Sequence, residues 1–117
     1  MRPIEISKRP WGKYSVLIND FKFKLKIIEV NPGHRLSYQF HNKRSEVWVV
    51  VNGSCEVTID GEIKNLKYGD SISINKKSKH RIYNNSKNIL QFVEVQTGSY
   101  FGEDDIVRIE DDYNRVK

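Results

Sequence analysis

Four side chains of the 117-residue chain have the types and spacing to hold a metal ion: Gln39, His41, Glu46 and His80. Gln39 and His41 stand two apart, and residues i and i+2 of a strand share a face. Glu46 follows five residues later, near the start of the next extended segment, and His80 enters from a third after a Gly-bounded hairpin. Two imidazoles, one carboxylate and one amide oxygen form a donor set suited to Zn, Mn, Fe, Co or Ni as divalent ions, with coordination positions left for water or substrate. The donors do not choose among these metals, and a neutral glutamine binds more weakly than a third histidine would. The competing use of the same residues is a polar cluster satisfied by its own hydrogen bonds.

Short strands must position these donors. Period-two alternation dominates the chain, and no segment reads as an amphipathic helix of ten or more residues with recognisable caps. Strands are predicted over 14–18, 21–30, 35–39, 47–52, 54–60, 62–66, 71–74, 80–84 and 90–97. Turn signals separate them at Asn31-Pro32-Gly33, Asn52-Gly53, Asp60-Gly61, Gly69-Asp70 and 84–88. Asp60-Gly61 is the clearest hairpin, because a type I′ turn needs two residues that tolerate positive φ. Strands this short and this evenly spaced predict an all-β barrel or sandwich. Lys22, Lys24 and Lys26 alternate with Phe21, Phe23, Leu25 and Ile27, which reads as a solvated face backed by a core face.

The length suits one domain over residues 1–117 with one core. A single cysteine, Cys55, excludes an intrachain disulfide and a Cys-rich zinc site; its alternation with Val57 and Ile59 marks it as packing. With no apolar leader at the start and no run of roughly 20 apolar residues, neither a secretory signal nor a membrane span is expected, and the reading is cytoplasmic. The formal charge of +5 would suit phosphates, but the lysines alternate instead of clustering, so no nucleic-acid partner is expected.

Gly33, Gln39, His41, Glu46 and Gly53 resemble the first motif of the cupin superfamily, with Gln39 in place of its first histidine. Gly69, Asn75, Lys77, His80 and Asn84 resemble the second, with Asn75 and Lys77 where a proline and a second glycine are usual. RPWGKY, SYQFHNKRSEVWVVVNG and EVQTGSYFGEDDIVRIEDDYNR narrow the resemblance to the type II phosphomannose isomerase domain over residues 9–115. That domain commonly forms the C-terminal part of bifunctional mannose-1-phosphate guanylyltransferases.

The resemblance implies a double-stranded β-helix, or jelly-roll barrel. It also implies a metal-dependent interconversion of mannose 6-phosphate and fructose 6-phosphate, feeding GDP-mannose and polysaccharide synthesis. A divalent ion would polarise the carbonyl while a base moves the proton between C2 and C1. Glu94, which shares a strand face with Phe92 and Gln96, is the expected base if that face lines the barrel. Arg44 and Arg81 flank ligand positions, and Arg108 and Arg115 fall in the GEDDIVR and DDYxR motifs. These four, with Lys43, are the expected substrate contacts, Arg44 also serving catalysis. Asn114 replaces the usual glycine of the last motif, which a left-handed backbone tolerates.

The family segment Q-x-H-x-H-R-x-E-H-W has Lys43 and Val47 here at two of its histidines, changes that leave the metal donors but touch substrate contacts or proton transfer. The other readings are a non-catalytic sugar-binding cupin or partner of a separate nucleotidyltransferase, and a cupin epimerase or ketoisomerase on nucleotide sugars. A homodimer is expected from the fold family. Trp11 and Trp48 are of a type that stacks on sugars, but Trp48, in the apolar run WVVV, is read as core or subunit interface, and His34 as exposed.

Overall fold

The computed structural model describes residues 2–115 and contains eleven strands among them: β1 (Glu5–Arg9), β2 (Gly12–Asn19), β3 (Phe23–Val30), β4 (Tyr38–Phe40), β5 (Arg44–Asn52), β6 (Ser54–Ile59), β7 (Glu62–Lys67), β8 (Ser71–Ile74), β9 (His80–Tyr83), β10 (Leu90–Gly98) and β11 (Val107–Glu110). They form a six-stranded sheet in the order β1-β2-β3-β10-β5-β8 and a five-stranded sheet in the order β11-β4-β9-β6-β7. Every pairing is antiparallel, as the all-β pattern predicts.

The turn chemistry is as read. Asp60 and Gly61 take φ of 48° and 86°, the pair of positive values that a type I′ turn requires, and join β6 to β7. Gly98 ends β10 beside the start of β5 at φ 145°, where an added Cβ would lie 2.2 Å from the Lys43 carbonyl oxygen. Only glycine lets these two strands approach so closely at the edge of the site.

The inner face of the central strands is divided lengthwise. Ile28 and Val30 on β3, Trp48 and Val50 on β5, and Leu90 and Phe92 on β10 pack into an apolar core with Trp11, Tyr14, Val16 and Val57. Lys24 and Lys26, Arg44 and Glu46, and Glu94 and Gln96 continue the same three faces into a buried polar end. The registers align the halves, because Glu94 stands opposite both Lys26 and Trp48, and Phe92 opposite Ile28 and Val50. Half of the barrel supplies hydrophobic stability; the other half holds polar chemistry.

This division overturns the reading of the lysine stripe. Lys24 and Lys26 are 7% and 2% exposed and point inward, while Phe23, Leu25 and Ile27 lie half-buried on the outer face and Phe21 is exposed. Both faces of β3 alternate in register with something apolar, so its own pattern does not choose a side. The acids on the neighbouring elements do: the Lys26 ammonium is 2.9 Å from Glu103 and 4.1 Å from the centre of the Tyr14 ring.

Two strands lie outside the predicted set. β1 and β11 are edge strands of five and four residues in charged surroundings, too short for a periodic signal. The strand expected over 35–39 pairs regularly only at Tyr38–Phe40, with an isolated bridge from Arg35 to Tyr83. His34 is half-buried, its Nδ1 hydrogen-bonded to the Tyr113 hydroxyl at 2.7 Å, because the C-terminal segment folds back over the turn. Cys55 is a buried free thiol in the core, and Trp11 and Trp48 are core residues.

Candidate metal centre

His41, Glu46 and His80 converge, each buried, with one donor atom apiece lying within 4.8 Å of the others. Glu46 Oε2 is 3.4 Å from His41 Nε2, and Glu46 Oε1 is 3.9 Å from His80 Nε2. Donors bound to one ion at about 2.1 Å are themselves roughly 3 to 4 Å apart, so this spacing fits a shared ion. His41 sits just after β4, which pairs with β9 through Gln39 and His80, so strand pairing brings two distant donor segments together. Glu46 joins them from β5 in the other sheet.

The tautomers also fit. His41 Nδ1 donates to the Asp105 carbonyl oxygen at 2.6 Å and His80 Nδ1 donates to the Ser78 carbonyl oxygen at 2.9 Å, turning both Nε2 lone pairs toward Glu46. Burial holds the His80 imidazole below its ordinary pKa, and burial, then the Arg44 and His80 charges, push His41 down to about 4. Both rings are therefore neutral, the form that ligates. His80 Nε2 is buried with no hydrogen-bond partner, a cost of roughly 1–3 kcal/mol that a bound cation would remove.

Gln39 lies beside the cluster with its amide nitrogen 3.3 Å from His41 Nε2 and its oxygen accepting from Ser37 Oγ at 2.5 Å. A half-turn of the amide presents the oxygen to the cluster, and the Ser37 hydroxyl serves either orientation as donor or acceptor. Arg44 donates through Nε to Glu46 Oε2 at 2.9 Å and through Nη2 to His41 Nε2 at 3.3 Å. Its fixed charge would compete with a metal cation for Glu46.

Four residues outside the candidate metal-donor set, Trp48, Glu94, Gln96 and Asp105, organise the centre. Trp48 donates its one indole N–H to both Glu46, at 2.9 Å, and Glu94, at 3.1 Å, holding the two carboxylates together. Burial, then the Glu46 charge, push the Glu94 carboxyl up to about 7, and Gln96 Nε2 donates to its other oxygen at 2.8 Å. Asp105 accepts the backbone N–H groups of Asn42 and Lys43 at 3.1 and 2.9 Å, while its own carbonyl orients His41. Its 63-residue separation from Asn42 left no local signal.

Asp105→Asn supplies a donor where an acceptor of two N–H groups is needed. It is expected to cost roughly 1–3 kcal/mol in chemical denaturation and to weaken metal binding about 10–100-fold, measured by competition with a chelating dye.

A cavity of about 60 Å³ abuts the centre through Gln39, Arg44 and Glu94, and Arg108 and Arg115 line it as well. The remaining expected contacts are elsewhere. The Lys43 ammonium lies over the Tyr100 ring at 5.1 Å on the exposed side of β5, and Arg81 Nε and Nη2 donate to the carbonyls of Leu36 and Glu110. Val47, 39% exposed, also faces outward. Both departures from the family segment thus lie off the inner wall.

Lys77 takes φ of 66°, the conformation that the glycine usual at this motif position adopts without strain, and its N–H donates to the His41 carbonyl oxygen at 2.7 Å. Left-handed backbone costs a non-glycine residue about 1–2 kcal/mol, partly offset by the entropy glycine loses on folding. Lys77→Gly is expected to stabilise the chain by up to about 1 kcal/mol, read as a rise of a few degrees in Tm. Asn114, at φ 59°, occupies the left-handed position expected of it.

Two antiparallel sheets closing over an inward His, His and Glu set define a cupin. An RmlC-like cupin from Shewanella frigidimarina superimposes with a TM-score of 0.73 at 25% identity, covering 86% of each chain. Residues 4–111 match the family described as mannose-6-phosphate isomerase C-terminal, and the chain belongs to that family. Mannose-1-phosphate guanylyltransferase ManC of Salmonella typhimurium and alginate biosynthesis protein AlgA of Pseudomonas aeruginosa are each 47% identical to it over 108 residues, 92% of this chain. The chain spans about a fifth of the length of these relatives, 22% of each.

Proposed function

We propose that this chain is a metal-dependent sugar-phosphate isomerase that interconverts mannose 6-phosphate and fructose 6-phosphate for GDP-mannose and polysaccharide synthesis. The observation that carries the reading is the adjacency of the buried His41, Glu46 and His80 cluster to a second buried carboxylate, Glu94, which shares the Trp48 indole N–H with Glu46. Isomerisation needs those two functions side by side. Membership of the isomerase family supports the reaction, and relatives named for mannose-1-phosphate and alginate chemistry support the pathway.

His41, Glu46 and His80 would hold the ion, with Gln39 as a fourth donor after its amide turns. The ion, when bound, supplies Lewis acidity at the sugar carbonyl and its neighbouring hydroxyl. Glu94 takes the proton from C2 of the aldose and returns it to C1, and a hydroxyl proton passes from O2 to O1, so no atom is gained or lost. A carboxyl poised near neutrality can do both halves of that transfer. Arg44 steadies the charge that develops on the sugar oxygens, and Arg108 and Arg115 reach the phosphate. Arg81 and Lys43 hold the surrounding walls in place.

Purified chain, stripped and reloaded separately with Zn, Mn, Fe, Co and Ni, is expected to convert mannose 6-phosphate to fructose 6-phosphate only when loaded. Folded, loaded protein that is silent with every metal overturns the reading. It would leave the partner role suggested by the guanylyltransferase relatives, which copurification with a nucleotidyltransferase would then establish. Cys55 is a free thiol, which a reducing compartment preserves, and the proposed location is the cytoplasm. Among the described residues no helix is long and apolar enough to cross a membrane.

The homodimer is proposed on the outer face of the six-stranded sheet. Ile27, Val93 and Val49 form one cross-strand row and Leu25, Val95 and Val47 the next. A solvated sheet face normally carries polar residues at such positions. The patch lies across three adjacent strands and is free of charge, so a second copy can match it about a two-fold axis. Val93→Glu is expected to halve the mass seen by light scattering while leaving the fold intact; a monomeric parent at the same micromolar concentration would dismiss the dimer.

A further inference from the structure

We propose that Arg9, Arg108 and Arg115 form a phosphate site in which Arg9, on the edge strand β1, is a substrate-binding residue. This rests on the sugar-phosphate reading above and adds to it the end of the substrate remote from the metal. The three guanidinium groups come from β1, from β11 and from the segment after β11, yet line one cavity. Bringing three fixed cations together is costly unless an anion visits them.

Their internal partners do not balance them. Arg115 donates through Nε and Nη2 to Asp111 at 2.7 and 2.9 Å, and Arg9 donates to the neutral Tyr14 hydroxyl at 3.2 Å. Arg108 Nε is buried with no partner among the described residues. The other acids along this wall are engaged elsewhere: Glu103 lies 2.9 Å from Lys26 and 3.6 Å from Arg44, Asp104 accepts from the Tyr100 hydroxyl, and Glu94 accepts from Trp48 and Gln96. Three cations against one committed carboxylate leave two positive charges, the complement of a phosphate monoester carrying about −1.5 to −2 at pH 7. Burial, then the Arg115 charge, hold Arg108 below the usual guanidinium range; Asp111 and Glu103 oppose that shift and Arg9 adds to it, as fits cations crowded on one wall.

Size places the two ends of the ligand. The inner cavity, about 60 Å³, is far smaller than a sugar-phosphate site, which typically measures ~300 Å³ or more. Glu103, Ile106, Arg108 and Arg115 also line an outer groove of about 330 Å³. A ligand must therefore straddle the boundary, with its carbonyl end toward Gln39 and Glu94 and its far end at the arginines. Guanidinium forks match phosphate oxygens in paired hydrogen bonds, whereas a neutral hydroxymethyl group would leave them unmatched. Asn114 at φ 59° turns the chain so that both the Arg115 backbone N–H and its side chain reach Asp111, which aims the guanidinium.

Calorimetric titration of the full chain with inorganic phosphate, mannose 6-phosphate and mannose tests the site. The parent is expected to bind the first two and not mannose. Arg9→Gln and Arg108→Gln should each weaken both by at least about tenfold, Arg9→Lys should weaken them less, and the visible spectrum of the cobalt-loaded protein should not change. Parent protein that binds neither anion, or Arg9→Gln and Arg108→Gln that bind like the parent, overturns the site. Arginine-dependent phosphate binding without turnover would keep the site and sink the isomerase. Turnover with an unchanged KM in Arg9→Gln would keep the isomerase and sink the site.

Discussion

Replacing His80 by alanine is expected to abolish metal loading and with it turnover, by roughly a thousandfold or more. The ring contributes the one buried donor atom of the cluster that has no other partner, so nothing else in the fold substitutes for it. Lewis-acid assistance worth several kcal/mol corresponds to about that loss, at one factor of ten per 1.36 kcal/mol. Heat capacity scans separate the chemical role from a packing role. An ion present at a hundred times its Kd stabilises the folded state by about 2.7 kcal/mol, so the parent's Tm should rise on metal addition. His80→Ala should show no such rise. Its metal-free stability should change less, because removal of the unsatisfied nitrogen offsets the gap left beside Trp48 and His41, whose ring centres stand 5.6 and 5.1 Å away. A variant that still loads metal and turns over would show that the cluster is a hydrogen-bonded polar core.

Glu94→Gln is the complementary case, expected to lower kcat by about 10²–10⁴-fold while leaving metal content and KM near those of the parent. The amide keeps the shape of the carboxyl, and one of its atoms can still accept from Trp48 Nε1, but it cannot carry a proton between two carbons. The base works ionised, so kcat/KM should rise with pH through the ionisation of Glu94 and fall on the acid side. In the metal-free protein burial and Glu46 put that carboxyl at about 7. A bound dication favours the carboxylate, so the acid limb of the loaded enzyme should lie at or below that value. A profile flat through this range, or kcat unchanged in Glu94→Gln, removes Glu94 from the chemistry.

Much of the fold was legible because its signals are local. Alternation over β2, β5, β6 and β10 needs only neighbouring residues, and Asp60-Gly61 names its turn by the φ values that two residues tolerate. The candidate donors were legible for the same reason: an i, i+2 pair shares a face whatever lies around it, and a Gly-bounded turn returns His80 to their neighbourhood. The pattern of β3 failed as a guide because both of its faces read as amphipathic, and β1 and β11 are too short to show a period.

What the linear order of residues decides here is therefore the set of strands, their turns and the identity of four candidate donors. Tertiary pairing alone decides which side of β3 is inside, since Lys24 and Lys26 go inward only because Glu94 and Glu103 wait there to face them. It alone joins Asp105 to His41, and brings Arg9 to Arg108 and Arg115 across the length of the chain. Electrostatic balance in a buried site is a sum over neighbours in space, and the neighbours that settle it here stand from 64 residues apart, for His41 and Asp105, to nearly the whole chain, for Arg9 and Arg115.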